Sequence, residues 1–330
     1  MARIVLGIGT SHSPLLVLGG PQWEYRSQDD RRNPALNTLD GRLISYDQLV
    51  AERGEPYASQ SDPAGFPQLA ARAEAALDRL AAQLRAAEPD VVLVVGDDQG
   101  ELFAPDNFPA IAIYRGEELA MKDADNMTGP PWADKKFWAG YRMDVPHRYP
   151  GAPALALELV EGLIGEGVDV ASCASVPDPA RRGFGHAFGF VIERLMKDLQ
   201  VPMLPVLLNT YFPPNTPTAA RCHEVGRKIA KVLAASPSSA RVAVVASGGL
   251  SHFLCEEAFD REIVAALQSH DARVLTAIPQ QAMLSGSSEI RNWVMVGGMV
   301  EHLRSDFTDY IPVQRTPAGT GIGLAFMSWT

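Results

Sequence analysis

Five short runs of nearly continuous apolar residues, each ending in glycine or a polar side chain, constrain this chain more than any other feature. They span residues 4–8, 91–95, 110–114, 203–208 and 242–246 and are rich in Val, Ile and Leu. A strand with one wet face alternates apolar with polar residues, whereas a strand covered on both faces reads as an unbroken apolar run. Between these runs lie segments with helical spacing at 69–87, 154–165, 188–199 and 218–235. The first of them stops just before Glu88-Pro89, as a helix does ahead of proline. Buried strands alternating with helices predict an α/β fold, a central mostly parallel or mixed sheet flanked by helices.

Two segments break that rhythm. Residues 19–67 and 122–150 hold many charged, aromatic, Gly and Pro positions without clean periodicity. They predict long loop insertions over the site within one domain spanning residues 1–330. Their aromatics, Trp23, Tyr25, Trp132, Phe137, Trp138 and Tyr141, either cover a pocket or pin each excursion onto the surface.

The formal net charge is -10, from 29 Lys+Arg against 39 Asp+Glu. Such a surface repels phosphate backbones and anionic headgroups, so no nucleic acid and no membrane partner is expected. The three cysteines, Cys173, Cys222 and Cys255, form no CxxC pair and cannot all be paired within the chain, which predicts a reduced, cytoplasmic setting. The apolar N-terminus is interrupted by Ser11 and His12 and reads as strand and turn, not as a signal peptide.

Three of the seven histidines follow one pattern. His12 lies just past the 4–8 run, His252 just past the 242–246 run, and His186 in the glycine-flanked stretch Gly-Phe-Gly-His-Ala-Phe-Gly. The 91–95 run leads into Gly96-Asp97-Asp98-Gln99. Sites in α/β sheets form in the crevice beyond the carboxyl ends of strands. Any one of these histidines alone reads as a turn cap; the three together read as a site. His147, His223, His270 and His302 read as surface residues, none at HxxxH or HExxH spacing. No GxxxxGK[ST] loop is present, Gly-Ile-Gly-Thr-Ser-His lacks the third glycine of a dinucleotide fingerprint, and Ser247-Gly-Gly-Leu-Ser251 is not a GxSxG elbow.

At these residues the chain resembles the class III extradiol ring-cleavage dioxygenases. The similarity runs in order through SHSPL around His12, PDVVLVVGDDQ ending at Gln99, GFGHAFG around His186, SGGLSH ending at His252 and SSEIRNW around Glu289. The resemblance implies Fe(II) held by two histidines and a glutamate, with positions left open for an aromatic substrate, catechol-like or a hydroxylated heteroaromatic, and O2. Carried over, His12 is one histidine ligand and Glu289 the carboxylate. The other histidine does not carry over, because the chain reads Asp98-Gln99 where the family reads Asp-His.

Three outcomes follow from that departure. Gln99 takes the ligand position through its carbonyl oxygen, or Asp97 or Asp98 turns inward to give a two-carboxylate site, or the metal is lost. An oxygen donor is harder than imidazole, so the site holds Fe(II) less firmly or favours another divalent ion such as Mn2+. His252 and His186 match the family's catalytic positions, the first assisting deprotonation of the substrate hydroxyl and the second lining the O2 and substrate side. The resemblance further implies a site at one sheet edge under loops, and a homo-oligomer or a small helical partner subunit. A metal-dependent hydrolase or lyase on the same scaffold is the alternative. Arg26, Arg181, Arg182 and Arg315 read as solvated surface charges, with a substrate carboxylate as their other use.

Overall fold

Four of the five apolar runs become the parallel centre of one eight-stranded sheet in the computed structural model, which describes residues 1–126 and 129–330. β1 (Arg3–Thr10), β10 (Arg241–Ser247), β4 (Val91–Asp97) and β9 (Met203–Leu208) lie side by side in that order. The fifth run, β5 (Ile111–Tyr114), lies antiparallel to β9 and carries β8 (Ala171–Cys173) on its far side. On the other flank β12 (Gly321–Trp329) pairs antiparallel with β1, and β11 (Ser305–Gln314) closes that edge. The sheet is therefore mixed, with three strands beyond the five predicted runs.

The unbroken apolar runs arise because both sheet faces are covered. In β4, Leu93 and Val95 point into one core while Val92 and Val94 point into the other, and all four are fully buried. Each such side chain stabilises the fold by about 1.5–3 kcal/mol relative to exposure. One face is covered by α5 (Pro153–Gly165), α7 (Ala219–Ala235), α8 (Glu257–Ser269), α9 (Ala272–Thr276) and α10 (Ile290–Met299). The other face carries α3 (Phe66–Ala86) and α6 (His186–Val191). Along α3, Ala73, Ala76, Leu77, Leu80, Ala81 and Leu84 form the buried stripe that a helix with 3.6 residues per turn presents.

α7 and α10 touch backbone to backbone, because a Cβ at Gly226 would stand 1.9 Å from the Met295 carbonyl oxygen. This contact buries His223, overturning its expected place on the surface, and sets it beside Glu301 at 3.5 Å. The helix predicted at 188–199 begins two residues earlier, at His186, and ends in a wider five-residue turn, Ile192–Met196.

The two excursions are less irregular than the sequence suggests. The first holds α1 (Trp23–Asp30), the short hairpin β2 (Leu36–Asn37) and β3 (Leu43–Ile44), and α2 (Tyr46–Arg53). The second holds α4 (Lys135–Ala139), while β7 (Arg148–Pro150) pairs with β6 (Glu118–Ala120); residues 127 and 128 of this excursion lie outside the described residues. Periodicity is hidden in α1 and α2 because each has only two turns and a mostly polar surface. Among the described residues no helix is long and apolar enough to cross a membrane.

Candidate functional site

β1, β10 and β4 are the middle of the sheet, and their carboxyl ends converge. The cluster of polar residues therefore sits over the sheet centre and not at a lateral edge. His12 follows β1, Asp97 ends β4, Gly248 and Gly249 follow β10, Glu289 comes from the turn before α10, and His186 opens α6. One ligand atom from each of His12, Asp97, His186 and Glu289 lies within 4.8 Å of the others.

The neighbours of His12 define its tautomer. Its Nδ1 lies 3.0 Å from Ser247 Oγ, and that hydroxyl spends its own proton on the Ala187 carbonyl at 2.6 Å. Ser247 must therefore accept from Nδ1–H, which leaves Nε2 as the free ring nitrogen. Nε2 is buried without a hydrogen-bond partner, 3.3 Å from Glu289 Oε2 and 3.9 Å from Asp97 Oδ1. A buried lone pair facing two carboxylates is a donor set for a cation.

The charges agree with that fit. Burial raises the Glu289 carboxyl, but positive charge on His12 and His252 outweighs it and holds the group well below its ordinary range, so without a metal, ring protons take the place of a cation here. Burial, and then the facing Glu289, push the Asp97 carboxyl up. Two carboxylates buried together repel, and a divalent ion between them relieves both.

Trp293 ties three sequence motifs into this geometry. Its ring lies so close over Gly9 that a Cβ there would stand 2.1 Å from it, and its Nε1 donates to the carbonyls of Gly249 at 2.8 Å and Gly248 at 3.1 Å. The Gly249 amide in turn donates to Glu289 Oε2 at 2.5 Å. Arg291, fully buried, donates to the carbonyls of Pro217, Met283, Ser288 and Thr210 at 2.7, 2.8, 3.2 and 3.3 Å, and so fixes the turn that carries Glu289.

Gln99 reaches the cluster with its amide nitrogen, 3.0 Å from Asp97 Oδ2 and 3.3 Å from Glu289 Oε1. Asp98 turns away and accepts from the backbone amides of Glu101, Leu102 and Phe103 at 2.8, 3.0 and 2.6 Å. Of the two aspartates considered from the sequence, Asp97 is the one that faces inward. Sequence reasoning missed Glu101, whose Oε1 lies 2.5 Å from His186 Nδ1. The signal was present, since Glu101 is the third acid in five residues after a buried strand. Burial opposes the His186 imidazolium, but Glu101 prevails and pushes His186 up to about 10. Burial likewise opposes the Glu101 carboxylate, and His186 holds it down to about 2. His186 Nε2 points back into the cluster, 3.8 Å from Asp97 Oδ2.

His252 is poised differently. Its Nδ1 lies 2.9 Å from the Leu250 carbonyl, which only accepts, so Nδ1 carries a proton and Nε2 is the nitrogen turned to the cluster, 3.6 Å from Glu289 Oε1. Around these groups lies a cavity of about 320 Å³. Phe137, Trp138 and Tyr141 of the second excursion line it, as does Phe253, whereas Trp23 of the first is buried as a pin and Tyr25 is exposed.

Two of the four arginines are not solvated surface charges. Arg315 is buried and binds Asp30 through two contacts of 2.7 and 3.1 Å, because β11 delivers it beneath α1. Arg26 is largely buried and lines the cavity. Arg181 is exposed, and Arg182 reaches Asp106 on the surface at 3.4 Å.

The family model for the catalytic LigB subunit of aromatic ring-opening dioxygenase matches residues 59–321. Gln99, His186, His252 and Glu289 fall inside that match; His12 precedes it and joins the site through β1. Comparison with curated proteins gives no significant match. The match covers well over half of the chain, and the cluster of possible metal donors lies at the strand ends. The chain belongs to the LigB family of aromatic ring-opening dioxygenase catalytic subunits, metal-dependent enzymes whose substrates are an aromatic compound and O2.

Proposed function

We propose that the protein is a non-heme Fe(II) extradiol dioxygenase that opens the ring of a catechol-like or hydroxylated heteroaromatic substrate. The observation that carries this reading is the buried, unpartnered Nε2 of His12 facing Glu289 and Asp97. His12 and Glu289 would hold the ion. His186 would supply the imidazole that residue 99 does not, because its Nδ1–H is fixed on Glu101 as the outer nitrogen of a metal-ligating histidine is fixed on a carboxylate. Asp97 lies within reach as a further oxygen donor, which keeps Mn2+ in competition with Fe(II). Gln99, one of the three outcomes open at this position, turns its NH2 group toward both carboxylates.

When bound, Fe(II) supplies adjacent coordination positions and the redox capacity to bring ring electrons to O2. The chain's own residues do the rest. His252 Nε2 accepts the proton of a substrate hydroxyl, since its tautomer is fixed by Leu250. Burial, and then the nearby Glu289, raise the Tyr141 hydroxyl well above its ordinary range, so it stays protonated and donates to the His12 carbonyl at 2.8 Å. The aromatic walls exclude water and hold one substituted ring, because 320 Å³ is near the lower end of ligand cavities, about 300–1,000 Å³.

The test is anaerobic reconstitution followed by metal analysis and O2 uptake with a panel of aromatic diols. Stoichiometric iron with O2 uptake is expected for the native chain and for Gln99→Ala, and loss of metal for His12→Ala and His186→Ala. Metal loss in Gln99→Ala with retention in His186→Ala would return the ligand role to Gln99. Bound metal without O2 consumption across the panel would favour a Lewis-acid hydrolase or lyase.

A further inference from the structure

We infer that the substrate carries a carboxylate and that Arg26 is the residue that binds it. The inference rests on the ring-opening reading for the rest of the substrate, but its geometry is separate from the metal donors. Arg26 stands on α1, and that helix is fixed at three points. Trp23 is fully buried with Nε1 donating to the Leu15 carbonyl at 2.7 Å; Ser27 Oγ donates to the Arg315 carbonyl at 2.8 Å; Asp30 holds the Arg315 guanidinium. These residues recur at the i, i+4, i+7 spacing of one helix face, and Arg26 sits beside that face. Its side chain, 19% exposed, enters the same cavity as His12, His252 and Glu289.

The guanidinium is positioned and makes no hydrogen bond among the described residues. It lies 5.5 Å from the centre of the Trp132 ring and 5.9 Å from that of Phe253, two aromatic faces that hold a planar cation in place. Its nearest acid, Asp29, forms only a loose, partly exposed ion pair at 3.7 Å, beyond hydrogen-bond reach, and the Asp29 carboxylate already accepts from Trp132 Nε1 at 3.0 Å. Arg26 Nε is buried and has no hydrogen-bond partner among the described residues. The contrast with Arg315 is direct, since that guanidinium is occupied by Asp30. Burial first, and then the Arg315 charge, lower the Arg26 pKa, so its cation gains from an anion brought against it. A carboxylate suits the planar fork by accepting two parallel N–H bonds.

The carboxylate belongs either on the ring or on a short side chain, and substrate choice separates the two. Steady-state O2 uptake would be measured with dihydroxybenzoate, dihydroxyphenylacetate and methylcatechol, using native enzyme, Arg26→Met and Arg26→Lys, with metal content and thermal midpoint checked for each. Arg26→Met is expected to raise KM about 10- to 100-fold for whichever acid is preferred, the loss of a charged hydrogen-bonded pair. The kcat should stay within a few-fold, methylcatechol should be unaffected, and Arg26→Lys should recover part of the loss. Equal effects on acids and methylcatechol, or a native preference for methylcatechol, would overturn the inference. If no diol supports O2 uptake, calorimetric binding of the same three compounds to native protein and Arg26→Met decides it. Tighter binding of an acid that Arg26→Met abolishes upholds it, whereas no such difference overturns it.

Discussion

His186 Nδ1 lies 2.5 Å from Glu101 Oε1, and this contact fixes which way the other ring nitrogen faces. Nε2 turns toward Asp97 and the ring stands edge-on to His12, with centroids 4.7 Å apart. One carboxylate four residues beyond the end of β4 therefore orients a histidine on a different element, some eighty-five residues on in the chain. The pair also makes a statement about pH.

The His186 proton is held more tightly in the folded chain, up to about 10 from an ordinary 6.5, since the Glu101 carboxylate outweighs burial. Its contribution to stability is complete below pH 6.5 and is lost as pH rises toward 10. Metal-free protein should show a falling thermal midpoint across that window, and Glu101→Gln should flatten the slope while lowering the midpoint at neutral pH. Parallel slopes in the two proteins would contradict the assignment.

Ser247→Ala removes the acceptor that fixes His12 Nδ1–H while leaving the imidazole in place. Metal affinity should fall about 10- to 100-fold, the usual cost of losing such a support. Titration of the apo-protein with Fe(II) or Mn2+ measures it, and an unchanged affinity would remove Ser247 from the centre.

His252→Ala should leave the metal bound, because His252 stands at 3.6 Å from Glu289 and outside the four-residue donor cluster. The expected loss in kcat is about 10²–10⁴-fold, the range for a positioned acid/base group. Metal analysis beside single-turnover kinetics checks both halves of the statement.

Arg291→Met leaves four backbone carbonyls without their shared donor in a fully buried place. Each orphaned acceptor costs about 1–3 kcal/mol, so a loss of at least several kcal/mol is expected in denaturant unfolding. A loss below about 1 kcal/mol would mean that water takes over the carbonyls.

Much of this architecture was legible because buried strands write themselves plainly. The 203–208 run became β9 at those same bounds, and the other four runs became strands extended or trimmed by one or two residues. His12, His186 and His252 could be picked out because each sits in a glycine-containing turn after a strand or before a helix, whereas Glu289 came from the resemblance through SSEIRNW. Family membership followed from those same motifs in order.

What the chain sequence alone determined was thus local: which segments are strands covered on both faces, and which turns carry groups able to bind a metal or move a proton. Only the tertiary structure decided which of those groups meet. It turned Asp97 inward and Asp98 outward, because three backbone amides after the turn capture the Asp98 carboxylate. It set Glu101 against His186, brought Arg315 beneath α1, and turned Arg26 of that short, polar helix into the cavity. Apolar patterning is written along the chain at a fixed period, whereas pairing across scores or hundreds of residues depends on register and packing that no single segment contains. His12 was visible as a donor from its motif; the partners that complete its site were set by the meeting of β1, β4, β10, α6 and the turn before α10.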